Sequence, residues 1–223
     1  MYSQSKFMDI TYLGHSSFRL KGKTATLITD PFDPQMVGLS YPKVEADIVT
    51  VSHEHADHNK VELVKNVSKV ISGPGEYEIK GVSIIGIASF HDNKKGAIRG
   101  GNTIYIIEMD KLRLVHLGDL GHKLSDDIFS DFGEIDVLIV PVGGEYTITS
   151  SDAVEVVQDI EPEIVIPMHY KLPGMDEKTF GKLSGVDEFI NQVGLAVEKS
   201  DKLSLKKENL FGDQKVVVLE RKG

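Results

Sequence analysis

The 223-residue sequence has no cysteine. It therefore forms no disulfide and no thiolate metal site, which agrees with a reducing compartment. Histidine and carboxylate are left as its metal-binding side chains. Long apolar runs are also missing. None approaches the ~20 residues that a membrane-spanning helix needs. Positive charge is scarce, with 25 basic residues against 34 acidic ones and a net charge of −9. That balance disfavours a general nucleic-acid binder, which presents a basic face, but leaves room for a local positive pocket. Residues 1–7 carry no apolar stretch, read as no signal peptide and are expected to be disordered. Met8 stands as an alternative start, because strand-like sequence begins at Asp9. The chain is expected to be a cytoplasmic protein forming one domain over residues 1–223. Its 40% hydrophobic and 26% charged residues are ordinary for a globular chain and enough for a sizeable core.

What the sequence does contain is concentrated in His53-Glu54-His55-Ala56-Asp57-His58. Four candidate metal ligands, His53, His55, Asp57 and His58, fall within six residues. They follow the apolar run 47–52, which reads as a buried strand. Residues two apart in extended chain point the same way, so His53 and His55 can face one metal. A turn at Ala56 then carries Asp57 and His58 toward a second position. Imidazole suits Zn²⁺, Fe²⁺ or Mn²⁺, and the carboxylate adds a harder ligand. Histidine is not a favoured loop filler, which makes a merely solvated turn the weaker account.

The rest of the chain alternates short strands and turns. Strands are expected at 9–13, then through Leu20 after a turn over 14–18, and at 24–29, the last ending in Asp30-Pro31. A polar connection covers 33–46, a strand 48–52, and a short helix 60–66 capped by Asn59. Strands follow at 69–72, 76–80 and 81–89, then a hairpin of 103–108 and 112–117. Helices are expected at 123–131, 151–160 and within 176–193, and strands at 135–140, 164–168, 203–205 and 216–219.

Further candidates sit where apolar strands end: His91, Asp119 after Gly118, and His169. Strand ends share one edge of a sheet, so residues distant in sequence can meet there. Asp119, behind a glycine at a buried strand end, suits a carboxylate bridging two cations. His116, three residues earlier, competes with His91 as a ligand or else is a buried supporting histidine. The loop 93–102 carries Lys94, Lys95 and Arg99 in an otherwise acidic protein. These three are candidate contacts for an anionic substrate group, although charge runs are ordinarily solvated. Gly143-Gly144 lets backbone approach a ligand, which makes Tyr146 a candidate contact as well. His15, in the turn Gly14-His15-Ser16-Ser17-Phe18, is either a substrate-facing or supporting residue or a turn-capping one. The order of elements suggests two packed sheets with helices outside.

His-x-His-x-Asp-His after an apolar strand is the signature of the metallo-β-lactamase superfamily. The sequence resembles that superfamily over nearly its whole length, closest to small single-domain prokaryotic metal-dependent hydrolases near the L-ascorbate-6-phosphate lactonases. The resemblance implies an α+β fold, a four-layer αββα sandwich of two mixed β-sheets with outer helices and metals at one edge. It implies two divalent ions, Zn²⁺ foremost and Mn²⁺ or Fe²⁺ compatible. His53, His55 and His91 would hold one, Asp57, His58 and His169 the other, and Asp119 would bridge them. Asp30 matches the first-motif aspartate, which supports the metal loop. The implied activity is hydrolysis by a metal-bridging hydroxide, with Asp57 and Asp119 as catalytic residues. Two such ions ~3.5–4 Å apart make hydroxide available near pH ~7. The expected substrate is a small, anionic ester, lactone or phosphoester. A phosphodiesterase or nuclease, a diiron redox protein and a non-catalytic metal-binding scaffold remain alternatives on the same fold.

Overall fold

The computed structural model describes residues 7–210 and 212–223. The expectation for residues 1–7 thus lies outside the described residues, except at Phe7, whose ring packs under the Lys206 ammonium. The chain begins with three strands in an antiparallel meander, β1 (Met8–Gly14), β2 (Ser17–Lys21) and β3 (Thr26–Thr29). The connection after β3 contains a one-turn helix, α1 (Pro34–Val37), capped by Asp33, whose carboxylate accepts from Gln35 N–H. A two-residue strand β4 (Val44–Glu45) leads into β5 (Ile48–Val51), which delivers the histidine cluster.

A helix over 60–66 does not form. A single 3₁₀ turn, Val61–Leu63, gives way to β6 (Val64–Lys65), paired in parallel with β4. Tertiary packing overrides local propensity here, because Val61, Val64 and Val67 are drawn onto the face of β5 and β3 with Val44, Val49 and Ile28. Next come β7 (Lys69–Ser72), β8 (Gly75–Ile79), β9 (Val82–Phe90), β10 (Gly101–Met109) and β11 (Leu112–His116). Helix α2 (Asp126–Phe132), β12 (Val137–Pro141), α3 (Ser150–Ile160) and β13 (Ile164–Met168) form a βαβ-type run. The single helix read within 176–193 is two, α4 (Glu177–Phe180) and α5 (Val186–Val193), separated by Gly181 and Gly185. The chain ends with β14 (Ala196–Ser200), β15 (Leu203–Leu205) and β16 (Lys215–Leu219). Strand β14 carries no readable alternation, because it is an exposed edge strand with neither face buried.

Two mixed sheets result. One has the order β15-β1-β2-β3-β5-β7 and the other β14-β16-β13-β12-β11-β10-β9-β8. They pack face to face as an α+β sandwich through Tyr12, Phe18, Leu27 and Ile48 against Tyr105, Ile107 and Leu114. Tyr105 ties the sheets together: its hydroxyl donates to the Val51 carbonyl at 2.8 Å and accepts from Gly73 N–H at 3.1 Å. Helices α3 and α5 pack on each other outside the eight-stranded sheet. The outer face of the six-stranded sheet is covered mainly by connecting chain and the β4–β6 ladder. Among the described residues, no helix is long and apolar enough to cross a membrane.

Candidate metal centre

Every candidate ligand position except His116, the last residue of β11, lies just past a strand. His53 to His58 follow β5, His91 follows β9, Asp119 follows β11 and His169 follows β13. The strands end abruptly. His169 (φ 52°), His15 (φ 55°) and Asp30 (φ 39°) all adopt left-handed backbone, a strain tolerated where surrounding packing demands it. Gly118 (φ 56°) does the same before Asp119, and a Cβ there would collide with Asn102 Oδ1 and Ser52. Asp119 is thereby pressed against the histidine loop.

Candidate donor atoms converge into three overlapping groups, each within 4.8 Å: His53, His55 and His91; His53, His58 and Asp119; and His15, Asp57, His58 and His169. Asp119 Oδ2 is the common centre. It lies 3.1 Å from His169 Nε2, 3.3 Å from both His58 Nε2 and His91 Nε2, and 4.0 Å from His53 Nε2. All these residues are buried except His55, which is exposed.

A second layer sets which nitrogen faces the cluster. Buried Asp30 accepts from Ser52 N–H at 2.8 Å, Ser52 Oγ at 2.6 Å and His58 Nδ1 at 3.0 Å. The one hydroxyl proton of Ser52 is committed to Asp30, so at 3.0 Å from His53 Nδ1 its oxygen must accept. His53 and His58 are both held as Nδ1–H tautomers that turn Nε2 toward Asp119. Asn102 fixes Asp119 itself: its Oδ1 accepts from Asp119 N–H at 2.9 Å, while its amide donates to Leu117 O and Ser89 Oγ.

His116 stands apart. Its Nε2 donates to Ser16 O at 2.9 Å and its Nδ1 accepts from Gly118 N–H at 3.2 Å. Both nitrogens are occupied by backbone, so the geometry brings His91 and not His116 to the cluster. His15 is fully buried, with Nε2 3.1 Å from Asp57 Oδ2. It orients that carboxylate from beneath and does not reach the cavity as a substrate contact.

The charge state suits cation binding. Burial alone would raise Asp119 and Asp57, but His169 and His58 hold Asp119 well below the carboxylate range, and His58 and His15 do the same for Asp57. Burial pushes His53 down to about 3 and, with His169 beside it, His15 to about 4. His58 is the exception: Asp119, Asp57 and Asp30 hold its pKa well above normal against the cost of burial. Ionised carboxylates and neutral imidazoles are the forms that ligate metals, so a cation held by His58 must displace the second proton of that ring. Nε2 of His53, His58 and His169, and Oδ1 of Asp57 and Asp119, are buried without a hydrogen bond. Buried polar atoms need partners, and these aim at one another's neighbourhood. A nitrogen and oxygen donor set of this kind fits divalent cations.

A cavity of about 440 Å³ opens onto the cluster, walled by Met36, Arg99, Tyr146, Thr179 and Phe180. Arg99 and Tyr146 therefore stand where a substrate contact would, whereas Lys94 and Lys95 are exposed and do not line it. Arg99 lies 5.6 Å over the Tyr146 ring, and its Nη2 donates to Glu145 O at 3.4 Å. The sequence reading missed what holds that loop. Buried Asp92 accepts from the backbone N–H of Lys94, Gly96, Ile98 and Arg99 at 2.7–3.0 Å. An aspartate directly before a glycine-containing turn was the available signal. Ser52 and Asn102 carried no such signal. A larger groove of about 560 Å³ lies beside β15, at the other end of the sandwich from the cluster.

A model of the beta-lactamase superfamily domain matches residues 9–169, from the first strand to the last histidine of the cluster. The chain belongs to the beta-lactamase superfamily. Among its relatives is a UPF0173 metal-dependent hydrolase of Pyrococcus abyssi, 30% identical over 80% of this chain and 92% of that one. A solved structure from Thermotoga maritima, described as a candidate Zn-dependent hydrolase of the metallo-beta-lactamase superfamily, superposes with TM-score 0.79. It is 39% identical and covers 96% of this chain and all of that one. The diiron β-hydroxylase CmlA of Streptomyces venezuelae, at 14% identity and TM-score 0.61 over 92% of this chain and 54% of that one, shares the fold alone.

Proposed function

We propose that this superfamily member is a dinuclear metal-dependent hydrolase acting on a small anionic ester, lactone or phosphoester. The observation that carries it is the set of buried, unpartnered donor atoms gathered around Asp119 at the floor of a cavity that also holds Arg99. His53, His55 and His91 would hold one divalent ion, and His58, His169 and Asp57 a second, with Asp119 shared. Zn²⁺ is the first expectation, and Mn²⁺ or Fe²⁺ suit the same donors. When bound, two such ions supply activated water at neutral pH and an electrophile for the developing oxyanion.

The chain's own residues do the rest. Asp57, gripped by His15 at Oδ2, keeps Oδ1 free to hold the second ion and to orient the water beside it. Asp30 and Ser52 keep His53 and His58 in their donor tautomers. Arg99, over the Tyr146 ring and tied to Glu145 O through Nη2, keeps its remaining N–H groups for a carboxylate or phosphate. Met36 and Phe180 exclude water from the wall of the cavity. The partner is a small molecule, because an exterior of net charge −9 repels long polyanions.

The test is metal content by elemental analysis, with hydrolysis of 4-nitrophenyl acetate, a γ-lactone and 4-nitrophenyl phosphate by the metal-loaded protein. About two ions per chain are expected. Asp57→Asn should lower turnover by about 100-fold or more. Turnover untouched by Asp57→Asn would refute the mechanism. Metal-loaded protein without any turnover would favour a binding scaffold.

A further inference from the structure

The cluster is flanked by a second cleft, of about 490 Å³, on the far side of His55 and Arg99 from the first cavity. The two clefts share Glu54, His55 and Arg99. His53 lines the second cleft and His91 the first, so one candidate metal position faces both. Apart from Glu54 and Arg99 at the junction, no charged side chain lines the second cleft. Glu54 is locked there, its two oxygens accepting from Ser72 Oγ at 2.8 Å and Asn59 Nδ2 at 3.1 Å.

The walls of this cleft are bare in a way the fold does not require. Gly73 (φ 93°) and Gly100 (φ 89°) need glycine for their backbone, and a Cβ at either would meet nothing within 4 Å. Gly101 is different. It begins β10 without left-handed backbone, and its nearest neighbour to a Cβ would be Ser89 O at an ordinary 3.9 Å. Neither strain nor packing calls for glycine at this strand position, where glycine is entropically costly. Gly101 pairs with Phe90 across the sheet, so a side chain at 101 would share the face of Phe90. Phe90, next to His91, lines the cleft and leaves 38% of its surface exposed. An open apolar floor, kept clear by an otherwise unexplained glycine and continuous with the metal cluster, is the form of a ligand subsite.

We infer that this second cleft is a substrate subsite that receives a neutral, apolar arm, while the other arm lies in the first cavity and the scissile bond lies at the junction by His55 and Arg99. The inference rests on the hydrolase reading and narrows it to an open ester or phosphodiester substituted on both sides. Gly101 is then a specificity-determining position.

The test uses two monoanionic, non-hydrolysable probes that differ by one ring, phenylphosphinate and diphenylphosphinate. Their binding to metal-loaded protein is measured by calorimetry, with metal content determined on the same samples. The parent should bind diphenylphosphinate about tenfold or more tighter than phenylphosphinate, the worth of one buried ring. Gly101→Val should erase that preference, and so should Ala88→Leu, which fills the cleft from an exposed position on the neighbouring strand. A parent that holds its metals but shows no preference would overturn the subsite alone. A preference that survives in both variants would do the same. A parent that binds neither probe and no metal would overturn the hydrolase reading and the subsite with it.

Discussion

Replacing Asp30 by asparagine keeps the side-chain shape and suits the left-handed backbone at φ 39°, yet removes a charge on which three donors converge. In the parent, Oδ2 takes both Ser52 Oγ and His58 Nδ1, while Oδ1 takes Ser52 N–H. If the asparagine NH₂ replaces Oδ2, the Ser52 hydroxyl turns its proton toward His53 Nδ1, the proton of that ring moves to Nε2, and His58 must give up its Nδ1 proton. Both imidazoles then present N–H to the cluster instead of a lone pair. If the NH₂ replaces Oδ1, it opposes Ser52 N–H, donor against donor, and the two imidazoles keep only a neutral acceptor. Hydrogen bonds to a charged group contribute ~1.5–3 kcal/mol against ~1 for neutral ones. The metal-free variant should therefore lose about 2–3 kcal/mol, or roughly 5–10 °C in Tm for a chain of this size. Metal affinity should fall about 10–100-fold, as when other supporting partners of metal-bound histidine are lost. His58 and Ser52 hold the Asp30 pKa below the carboxylate range against burial. The parent's advantage is thus full at neutral pH and fades as pH drops below about 4. Thermal unfolding of chelator-treated protein and competition against a coloured chelator measure the two effects. A variant with parental Tm and parental metal affinity would refute the tautomer argument.

His91→Ala should bring metal content from two ions toward one, whereas His116→Ala should keep both ions. The latter should cost about 2–4 kcal/mol in urea unfolding, because it opens a cavity and strips buried Ser16 O and Gly118 N–H of their partner. Equal metal loss in both variants would contradict the geometry. The metal-free protein should be most stable near pH 6.5. His15 and His53, at about 4 and 3, stay neutral in the fold while the unfolded chain takes up protons. Their stabilisation is present above ~6.5 and is lost as pH falls, with a slope of up to ~1.4 kcal/mol per pH unit each. His58 acts in the opposite sense. Its raised pKa gives stability that is complete below ~6.5 and declines as pH rises. Urea unfolding across pH 4.5–9 checks this, and stability rising from pH 6.5 down to 4.5 would contradict it.

The histidine cluster was legible because its donors are adjacent in sequence and follow a buried strand. His91, Asp119 and His169 were legible because each ends an apolar run, and strand ends share an edge. The helix misplaced at 60–66 shows the limit of local patterns, since its valines serve the outer face of a neighbouring sheet. Strand β14 was invisible because an exposed edge carries no alternation.

By itself, then, the sequence determined the donor types, their order along the chain and the strands that carry them, because these depend on residue identity and local periodicity. Tertiary structure decided the rest. His116 lost its place to His91 because Ser16 O and Gly118 N–H, far from each other in sequence, close on both of its nitrogens. Arg99 faces the cavity while Lys94 and Lys95 face outward because four backbone N–H groups wind their loop around Asp92. The second cleft exists only where β7, β9 and β10 meet the histidine loop. Hydrogen-bond partners and open space are properties of elements brought together, and no stretch of the chain holds them alone.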